Sequence, residues 1–455
     1  MDVITKDINV NDQLYGIFED NYEVLVSSSS DVVNRYRQQA IEVFRKTGIP
    51  VHRSEDYKYT NLEPFFKKGF KTRFAPDNIK LGVEEIFKCD IPSLDTHVIL
   101  LVNGFYFSEG EPLNELPGGI VAGSLQRAAR DYPELFEKYY GKVADMEKDG
   151  LVALNTAFAQ DGLFIYVPDN VIPDKPIQII NIALADEDRL IQHRNLFITG
   201  KNAHSRLIIC DHSLSAQDFL TNSVTEIFAE ENAHIDIANI QNEHNGCAQL
   251  SNTFIRQKKY SNVTRNTISL HGGLIRNNLK VELLDEQAHN NAFGLYVADG
   301  GQHVDSFTVI EHHAPHCTSN QLYKGVLDDF STGAFNGRIH VKQDAQKTVA
   351  FQKNSNLLLT KDAKMHTKPQ LEIYADDVKC SHGATVGQLD ENALFYMRSR
   401  GISQKEAKLL MMYAYAHEVI GKITVEPLLD RIDELVNKRF RGELSRCNNC
   451  AMHCG

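Results

Sequence analysis

The feature that most limits the fold of this chain is a long series of short, strand-like apolar runs. From Gly162 onward these runs recur about every fifteen residues, separated by Asp, Asn and Gly, with almost no helical periodicity. The series contains a repeated motif, which we call the Asn-Ala-His echo. Its two copies, Asn202-Ala203-His204 and Asn232-Ala233-His234, lie 30 residues apart, and each precedes an apolar run. Ala288-His289 follows 55 residues after Ala233-His234, close to two more such steps. A solenoid of stacked coils explains this echo, whereas the competing fold, a β-sandwich with irregular strands, does not.

Size and charge narrow the class of protein further. The 455 residues are too many for one ordinary core, so we expect two or three domains. A hydrophobic fraction of 42% suits a globular protein, and the net charge of -12 argues against a nucleic-acid-binding surface. The first residues lack the apolar core of a signal peptide, and no apolar run is long enough to span a bilayer. We therefore expect a cytoplasmic protein that has neither a nucleic-acid nor a membrane partner.

Periodicity divides the chain into four segments and predicts a mainly β fold. The N-terminal segment has helical patterns at 28–47, 124–145 and 155–160, and a strand pair formed by 97–102 and 105–107, which makes it an α/β region. The predicted fold is a parallel β-helix between this mostly helical N-terminal domain and a C-terminal helical domain. The predicted segments are residues 1–160, the solenoid at 161–378, the C-terminal helices at 379–446, and a Cys-rich tail at 447–455.

Three short amphipathic helices are predicted between residue 390 and residue 440. Asp390 can cap the first, which Gly401 ends, and Ser403 to Glu406 fits a capping box for the second. These helices can close on each other or present a groove to a partner helix. The apolar face predicted for the second helix is Ala407, Leu410, Met411 and Ala414, and that predicted for the third is Leu428, Ile432, Leu435 and Val436.

Enzyme signatures are absent from the sequence. It has no phosphate-binding loop, no dinucleotide fingerprint, no nucleophile elbow and no His-Glu-x-x-His, so we do not expect the chain to hydrolyse ATP itself. A carbohydrate-active β-helix enzyme is one alternative, and it would need carboxylates clustered along a groove of the solenoid. The available pairs, Asp285/Glu286 and Asp328/Asp329, are adjacent residues whose side chains point to opposite faces.

Two groups, one in the solenoid and one at its end, could contribute metal ligands. His312 and His313 are neighbours on a strand and cannot easily face one ion, so we expect them to be ordinary surface side chains. Cys380 and His382 are two residues apart, so on a strand they share a face and supply half of a four-ligand site. The remaining ligands would come from elsewhere in the chain or from another subunit. The alternative is structural, with Cys380 buried and His382 capping the following helix, and spacing alone favours it.

The C-terminal tail has the ligand count of a tetrahedral zinc or iron site. It contains three Cys and one His within eight residues, including a Cys-x-x-Cys pair. The alternative is a flexible tail, because the run is short and terminal. The candidate ligands are Cys447, Cys450, His453 and Cys454.

Residues 379–387 together with 394–402 closely resemble the signature of the SufB/SufD family of iron–sulfur cluster assembly proteins. Residues 155–168 resemble the entry into the β-helix of that family. Residues 48–60 resemble its N-terminal region, with Tyr57 where that region usually has Trp. Gly383 resembles the SufD branch, because the SufB branch typically has Glu at this position.

This resemblance implies a right-handed β-helix and a non-catalytic scaffold subunit. The implied partners are SufB, which would pair through the β-helix, and the ATPase SufC, which would dock on the C-terminal helices. A nascent iron–sulfur cluster would be shared transiently with SufB, with His382 as a candidate ligand and Cys380 in a supporting role. No cofactor would be bound tightly by this chain alone, while a flavin on the complex, a homodimer, and a SufB-like scaffold that holds clusters alone stay open. The residues assigned to ATPase docking are Phe395, Tyr396, Arg398, Arg400, Gly401, Leu410 and Met411.

Overall fold

A computed structural model describes residues 9–78, 94–108 and 110–443 of the chain. Its centre is a parallel β-solenoid of about seven turns, with an α/β region before it and helices after it. The predicted fold class is therefore confirmed. Among the described residues, no helix is long and apolar enough to cross a membrane. The Cys-rich tail, with Cys447, Cys450, His453 and Cys454, lies outside the described residues.

The N-terminal region combines short helices with two antiparallel strand pairs. The predicted helix at 28–47 is α3, which begins after Ser30. The prediction of one helix over 124–145 was wrong, because Pro133 starts a second helix and the chain bends at Tyr132. The helix predicted at 155–160 begins earlier, at Gly150, where Asp149 caps it by accepting a 2.7 Å hydrogen bond from the backbone of Leu151. The helices are α1 (Val10–Asp20), α2 (Tyr22–Ser27), α3 (Asp31–Thr47), a 3-10 turn (Glu55–Tyr57), α4 (Glu63–Phe66), α5 (Leu125–Asp131), α6 (Pro133–Tyr139) and α7 (Gly150–Phe158), and the strands are β1 (Lys71–Thr72), β2 (His97–Val102), β3 (Phe105–Phe107), β4 (Leu113–Leu116) and β5 (Ile120–Ser124).

The solenoid is built from two parallel sheets, and successive strands alternate between them. We call the sheet of even-numbered strands sheet A and the sheet of odd-numbered strands sheet B. The strands are β6 (Leu163–Val167), β7 (Ile177–Ala183), β8 (Arg189–Thr199), β9 (His204–Ser213), β10 (Phe219–Ala229), β11 (His234–Asn242), β12 (Ala248–Gln257), β13 (Asn262–His271), β14 (Leu274–Leu283), β15 (His289–Ala298), β16 (His303–His312), β17 (Thr318–Leu327), β18 (Thr332–Val341), β19 (Val349–Leu358), β20 (Lys364–Ile373) and β21 (Lys379–Gly387).

The 30-residue spacing of the two Asn-Ala-His motifs equals the length of one coil. His204 and His234 are paired on adjacent strands of sheet B, and the same ladder continues through Asn262 to His289. Every turn from sheet A to sheet B before the last one contains a residue with positive φ, such as Asn202 and Asn232. Asn tolerates this conformation, and Nδ2 of Asn232 donates a 2.9 Å hydrogen bond to Oδ1 of Asn202. The repeated Asn therefore marks the corner of the solenoid.

The two ends of the solenoid differ. At the first end, the pair β2 and β3 extends sheet B and the pair β5 and β4 extends sheet A. The hairpin predicted across residues 97–107 is therefore confirmed, and it covers one edge. At the last end, β20 and β21 are the outermost strands of their sheets. Within the described chain, no further strand pairs with them.

A segment of the N-terminal region reaches across sheet A towards the last coils. Arg276, on β14, forms a buried ion pair with Asp305, on β16, and its guanidinium lies 4.1 Å from the ring centroid of Tyr57. Tyr59 stacks on His366, on β20, with ring centroids 4.3 Å apart. The segment 54–60 thus fastens the N-terminal region to the outer face of the solenoid.

The C-terminal helices fold back along the solenoid instead of covering its last end. They are α8 (Glu391–Ser399), α9 (Gln404–Ile420) and α10 (Glu426–Arg441). Asp390 caps α8 and Ser403 caps α9, as predicted. The apolar face predicted for α10 is confirmed, since Leu428, Ile432 and Val436 pack against the outer face of sheet B.

The apolar face predicted for α9 was wrong for three of its four residues, and only Ala407 is buried as predicted. Leu410 and Ala414 are exposed and Met411 is half-buried. Apolar residues occur nearly all round this helix, so periodicity does not fix the packed face, and the contact with sheet B decides it. The buried residues of α9 are Ala407, Leu409, Met412, Ala416, Val419 and Ile420.

Candidate functional site at the open end of the solenoid

The candidate site lies on β21, the last strand of sheet B. Residues 379–387 belong to this strand, so the change from strands to helices comes at 388–390 and not at residue 379, where the sequence analysis drew it. The strand pairs with β19 on one side and is largely exposed. Edge strands of this kind present unpaired backbone groups to another chain.

Cys380 and His382 share the inner face of this strand. They pair with Ala350 and Gln352 of β19, and both of these residues are buried in the solenoid interior. Side chains that alternate along a strand point to opposite faces, so Cys380 and His382 point towards the lumen at its open end. Ser381, between them, and Gly383, which follows His382, face outward, and a Cβ built at Gly383 would meet no atom within 4 Å.

The two side chains have different surroundings. Cys380 packs against a small apolar cluster that includes Ile339, Val341 and Ala350. Burial raises the pKa of the Cys380 thiol above its usual value, which keeps the thiol protonated at neutral pH. His382 is exposed. The alternative that His382 caps the following helix was wrong, because Asp390 caps α8 by accepting a 2.8 Å hydrogen bond from the backbone of Asn392.

No complete metal site surrounds His382 in the part of the chain that the structure describes. These residues contain no group of three or more His, Cys, Asp and Glu side chains arranged to hold a metal ion. A ligand set that includes His382 would therefore need donors from another chain. The exposed inner face of β21 leaves room for them.

Helix α8 follows this strand after three residues and has no buried residue. Phe395 is 72% exposed and Tyr396 is also exposed, which is unusual for large aromatic side chains on a helix. Arg398 and Arg400 are exposed beside them, and Gly401 ends the helix with a φ of 87°. Of the residues assigned to docking, Met411 alone is half-buried.

A groove of about 780 Å³ runs between α8, α9 and the turn that follows β19. Its apolar floor includes Leu358, Leu389 and Met412. Basic side chains dominate its rim, where Arg398 is joined by three lysines. The lysines are Lys361, Lys405 and Lys408. The groove suits a partner segment that combines apolar and acidic side chains.

The other candidate residues do not converge on a site. His312 is buried and its Nε2 lies 2.9 Å from the hydroxyl of Ser319, whereas His313 lies on the outer side beside Glu311, so the two imidazoles face apart as predicted. The expectation of surface side chains holds for His313 and was wrong for His312.

The carboxylate pairs considered for a carbohydrate-active enzyme lie far from one another. Asp285 and Glu286 form ion pairs with Lys258 and Lys259 at a turn that leads from sheet A to sheet B. Asp328 and Asp329 lie at a turn that leads from sheet B to sheet A, along the other side of the solenoid. The carboxylates of the two pairs are therefore not placed to act together as catalytic residues.

The sequence analysis did not identify one residue that lies beside His382. Gln352 precedes His382 by 30 residues, and the two are paired on adjacent strands. The coil length that the Asn-Ala-His echo reveals would have identified this neighbour. Gln352 has no charge and lies in no recognisable motif, so its residue type alone gave no signal.

Comparison with known proteins identifies the protein family of this chain. Residues 182–415 match the family model described as SUF system FeS cluster assembly, SufBD core domain, and residues 8–179 match the SufBD protein N-terminal region. The chain belongs to the SufBD family of iron–sulfur cluster assembly proteins, and the resemblance found in residues 379–402 is confirmed.

The relatives include proteins of the SufD branch. The chain is 28% identical to the iron–sulfur cluster assembly protein SufD of Escherichia coli over 89% of this chain and 92% of that protein. It is 25% identical to SufD of Bacillus subtilis over 71% of this chain and 74% of that protein. An iron–sulfur cluster assembly SufBD family protein of Synechocystis is 30% identical over 92% of this chain and 93% of that protein.

Proposed function

We propose that this chain is a non-catalytic scaffold subunit for iron–sulfur cluster assembly. It pairs with a SufB-like subunit through the open end of its solenoid and docks a SufC-like ATPase on its C-terminal helices. The nascent cluster is cargo that this chain shares transiently with its partner, and His382 is this chain's ligand to it. We further propose that the complex works in the cytoplasm.

The observation that carries the proposal is the position of His382. It is an exposed imidazole on the inner face of an edge strand, and the described residues contain no group of three or more ligand side chains that could hold a metal ion around it. Imidazole binds iron as well as zinc, so a second subunit that supplied thiolates would complete a four-ligand site. A SufB-like partner docked on β21 is the natural source of those ligands.

The partner's binding mode follows from the two ends of the solenoid. The first end is covered by strand pairs of this chain, whereas β20 and β21 have unpaired edges. A partner strand that pairs with such an edge gains backbone hydrogen bonds and covers the lumen at the same time. A second copy of this chain could occupy the same edge when no partner is present, which gives the homodimer as the competing occupant.

The ATPase-docking surface is proposed on α8 and the adjoining groove. The exposed aromatic rings of Phe395 and Tyr396 have no partner within the described chain that buries them. Only residues 388–390 separate α8 from β21, so a force on the helix reaches the strand that carries His382 almost directly. ATP-driven movement of the docked subunits would thereby open or close the cluster site.

A binding experiment tests the docking surface without removing packed helices. The double variant Phe395→Ser/Tyr396→Ser should weaken binding of the SufC-like ATPase by at least about tenfold, because exposed aromatic residues are typical interface anchors. Ile172→Ser is the matched control, since Ile172 is 65% exposed on a turn of the first coil. Equal ATPase affinity in the double variant and in the control would contradict the proposed docking surface.

A further inference from the structure

A buried arginine in the middle of the solenoid has no partner for its charge. Arg265, on β13, is 6% exposed, and its register neighbours Ile237 and Ala292 belong to the apolar core of the lumen. Its guanidinium forms no hydrogen bond and no ion pair with any described residue. The buried Arg194, in contrast, forms an ion pair with Glu226. A buried cation that lacks such a partner is costly, so the surroundings of Arg265 deserve a physical explanation.

Arg265 borders two polar cavities of the lumen. The larger, of about 60 Å³, lies towards the first coils and is lined by Asp211 and Glu243. The smaller, of about 10 Å³, lies towards the later coils, and no carboxylate of the described chain lines it. A cavity as small as the second holds a single occupant of about the size of a water molecule.

The two carboxyl groups of the larger cavity do not compensate the charge of Arg265. Asp211 attracts the guanidinium from a distance without an ion pair. Its carboxylate instead accepts hydrogen bonds of 2.7 Å from the side-chain amides of Asn181 and Gln249. Burial, together with Asp211, raises the pKa of Glu243 to about 8, so this carboxyl group is uncharged at neutral pH. The positive charge of Arg265 is therefore available to an anion on its other side.

Hydroxyl groups surround the smaller cavity. Thr267, Ser306 and Tyr323 line it, and their hydroxyls have no hydrogen-bond partner among the described residues. A Cβ built at Gly294 would collide with the ring of Tyr323, so this ring leans from β17 over β15 towards β13, which carries Arg265. Each of these hydroxyls can donate one hydrogen bond into the cavity.

We propose that the smaller cavity binds one small monovalent inorganic anion of about the size of chloride, held by the guanidinium of Arg265 and the hydroxyl of Tyr323. Thr267 and Ser306 offer further donors. A fixed cation together with hydroxyl donors favours an anion over a cation, and hydrogen bonds from a charged donor are the stronger ones. The volume excludes phosphate and sulfate. The inference is independent of the role of His382.

Bromide tests the occupancy directly, because it has the charge of chloride and scatters X-rays anomalously. Crystals of the full-length chain grown in sodium bromide should show an anomalous peak in the smaller cavity, within hydrogen-bonding reach of the guanidinium of Arg265. Crystals of Arg265→Met grown in the same salt should lack this peak. Wild-type crystals without the peak would overturn the inference, because the cavity would then hold water only.

A salt titration measures the affinity in solution. Chloride replaces gluconate at constant ionic strength while the melting temperature of the full-length chain is followed. The melting temperature of wild type should rise relative to that of Arg265→Met as chloride increases, because the anion binds the folded chain. Salt effects on the protein surface are common to both chains and cancel in the difference. Arg206→Met removes a cation from the outer face of sheet B and should respond as wild type does. An equal response of wild type and Arg265→Met would overturn the inference.

A milder variant tests the site even if Arg265→Met does not fold. Tyr323→Phe removes only the hydroxyl and should weaken chloride binding about tenfold. Tyr139→Phe is the matched control, because the hydroxyl of Tyr139 donates a 2.8 Å hydrogen bond to Glu230 outside the lumen. It should keep the chloride affinity of wild type. Unchanged chloride affinity in Tyr323→Phe would contradict the proposed site, and so would a sulfate titration of wild type that matches the chloride titration.

Discussion

The backbone N–H of Lys379 donates a 2.8 Å hydrogen bond to the carbonyl oxygen of Thr348. In a parallel pair, alternate residues direct both backbone polar groups to the same neighbour, so the residues between them direct theirs outward. Lys379, Ser381 and Gly383 therefore face β19 with their backbone groups, whereas His382 and Ala384 offer theirs to the open edge. His382 therefore presents its side chain to the lumen and its backbone groups to the open edge.

This alternation yields a prediction about partner binding. Ala384→Pro removes an outward N–H and leaves the hydrogen bonds to β19 intact, since proline is tolerated on edge strands. We expect association with the SufB-like partner to weaken by about tenfold, while the melting temperature stays within a few degrees of wild type. Titration calorimetry and circular dichroism measure the two quantities. Thr385→Pro is the contrast, because it breaks bonds to β19 and should lower the melting temperature. Unchanged affinity of Ala384→Pro would exclude strand pairing at this edge.

A second prediction concerns the attachment of the N-terminal region. Arg276 is 1% exposed, pairs with Asp305 and donates a 2.9 Å hydrogen bond to the backbone carbonyl of Asp56. Arg276→Met leaves a buried carboxylate uncompensated, so we expect a loss of about 3–5 kcal/mol in the free energy of unfolding. Limited proteolysis should also cut faster near residues 54–60. Arg35→Ala is the control, because the side chain of Arg35 is 55% exposed in its ion pair with Glu137 and its loss should leave the free energy of unfolding nearly unchanged. Similar losses in both variants would contradict this account of the attachment.

A third prediction concerns pH. Burial, together with the nearby Asp211, raises the pKa of Glu243 from 4.5 to about 8. Between these values the folded chain keeps a proton that the unfolded chain has released. The free energy of unfolding therefore falls by about 1.4 kcal/mol per pH unit through this group as the pH rises.

Glu243→Gln isolates that effect, because the amide stays uncharged at every pH. We expect the stability of the variant relative to wild type to increase steadily from pH 4.5 to pH 8 in chemical denaturation. Burial lowers the pKa of His193 to about 4, which acts with the opposite sign below pH 6.5, but it is common to both proteins and cancels in the difference. A difference in stability that does not change with pH would show that Glu243 is not held protonated.

Much of the fold could be predicted because the solenoid repeats itself. The Asn-Ala-His echo at 202–204 and 232–234 reports both the coil length and the corner residue, and local rules sufficed for Asp390 and Ser403 as helix caps. The packed face of α9 could not be predicted in this way. It depends on contacts with β15 and β17, which come far earlier in the chain.

Only part of the candidate site could be predicted from the sequence. The spacing of Cys380 and His382 indicates a common face, which the register of β21 bears out. It does not indicate that Cys380 packs against Ile339 and Val341, because those neighbours come from β18. Gln352, the neighbour of His382 on β19, can be identified only when residues one coil apart are compared.

The most direct measurement of the central claim is the iron and acid-labile sulfide content of the reconstituted complex with His382→Ala. Cys380→Ala is the matched variant, because Cys380 lies on the same face and packs in an apolar cluster. We predict that His382→Ala forms the complex with both partners yet holds about tenfold less cluster, whereas Cys380→Ala stays within about twofold of wild type. Wild-type iron and sulfide content in the His382→Ala complex would contradict the account.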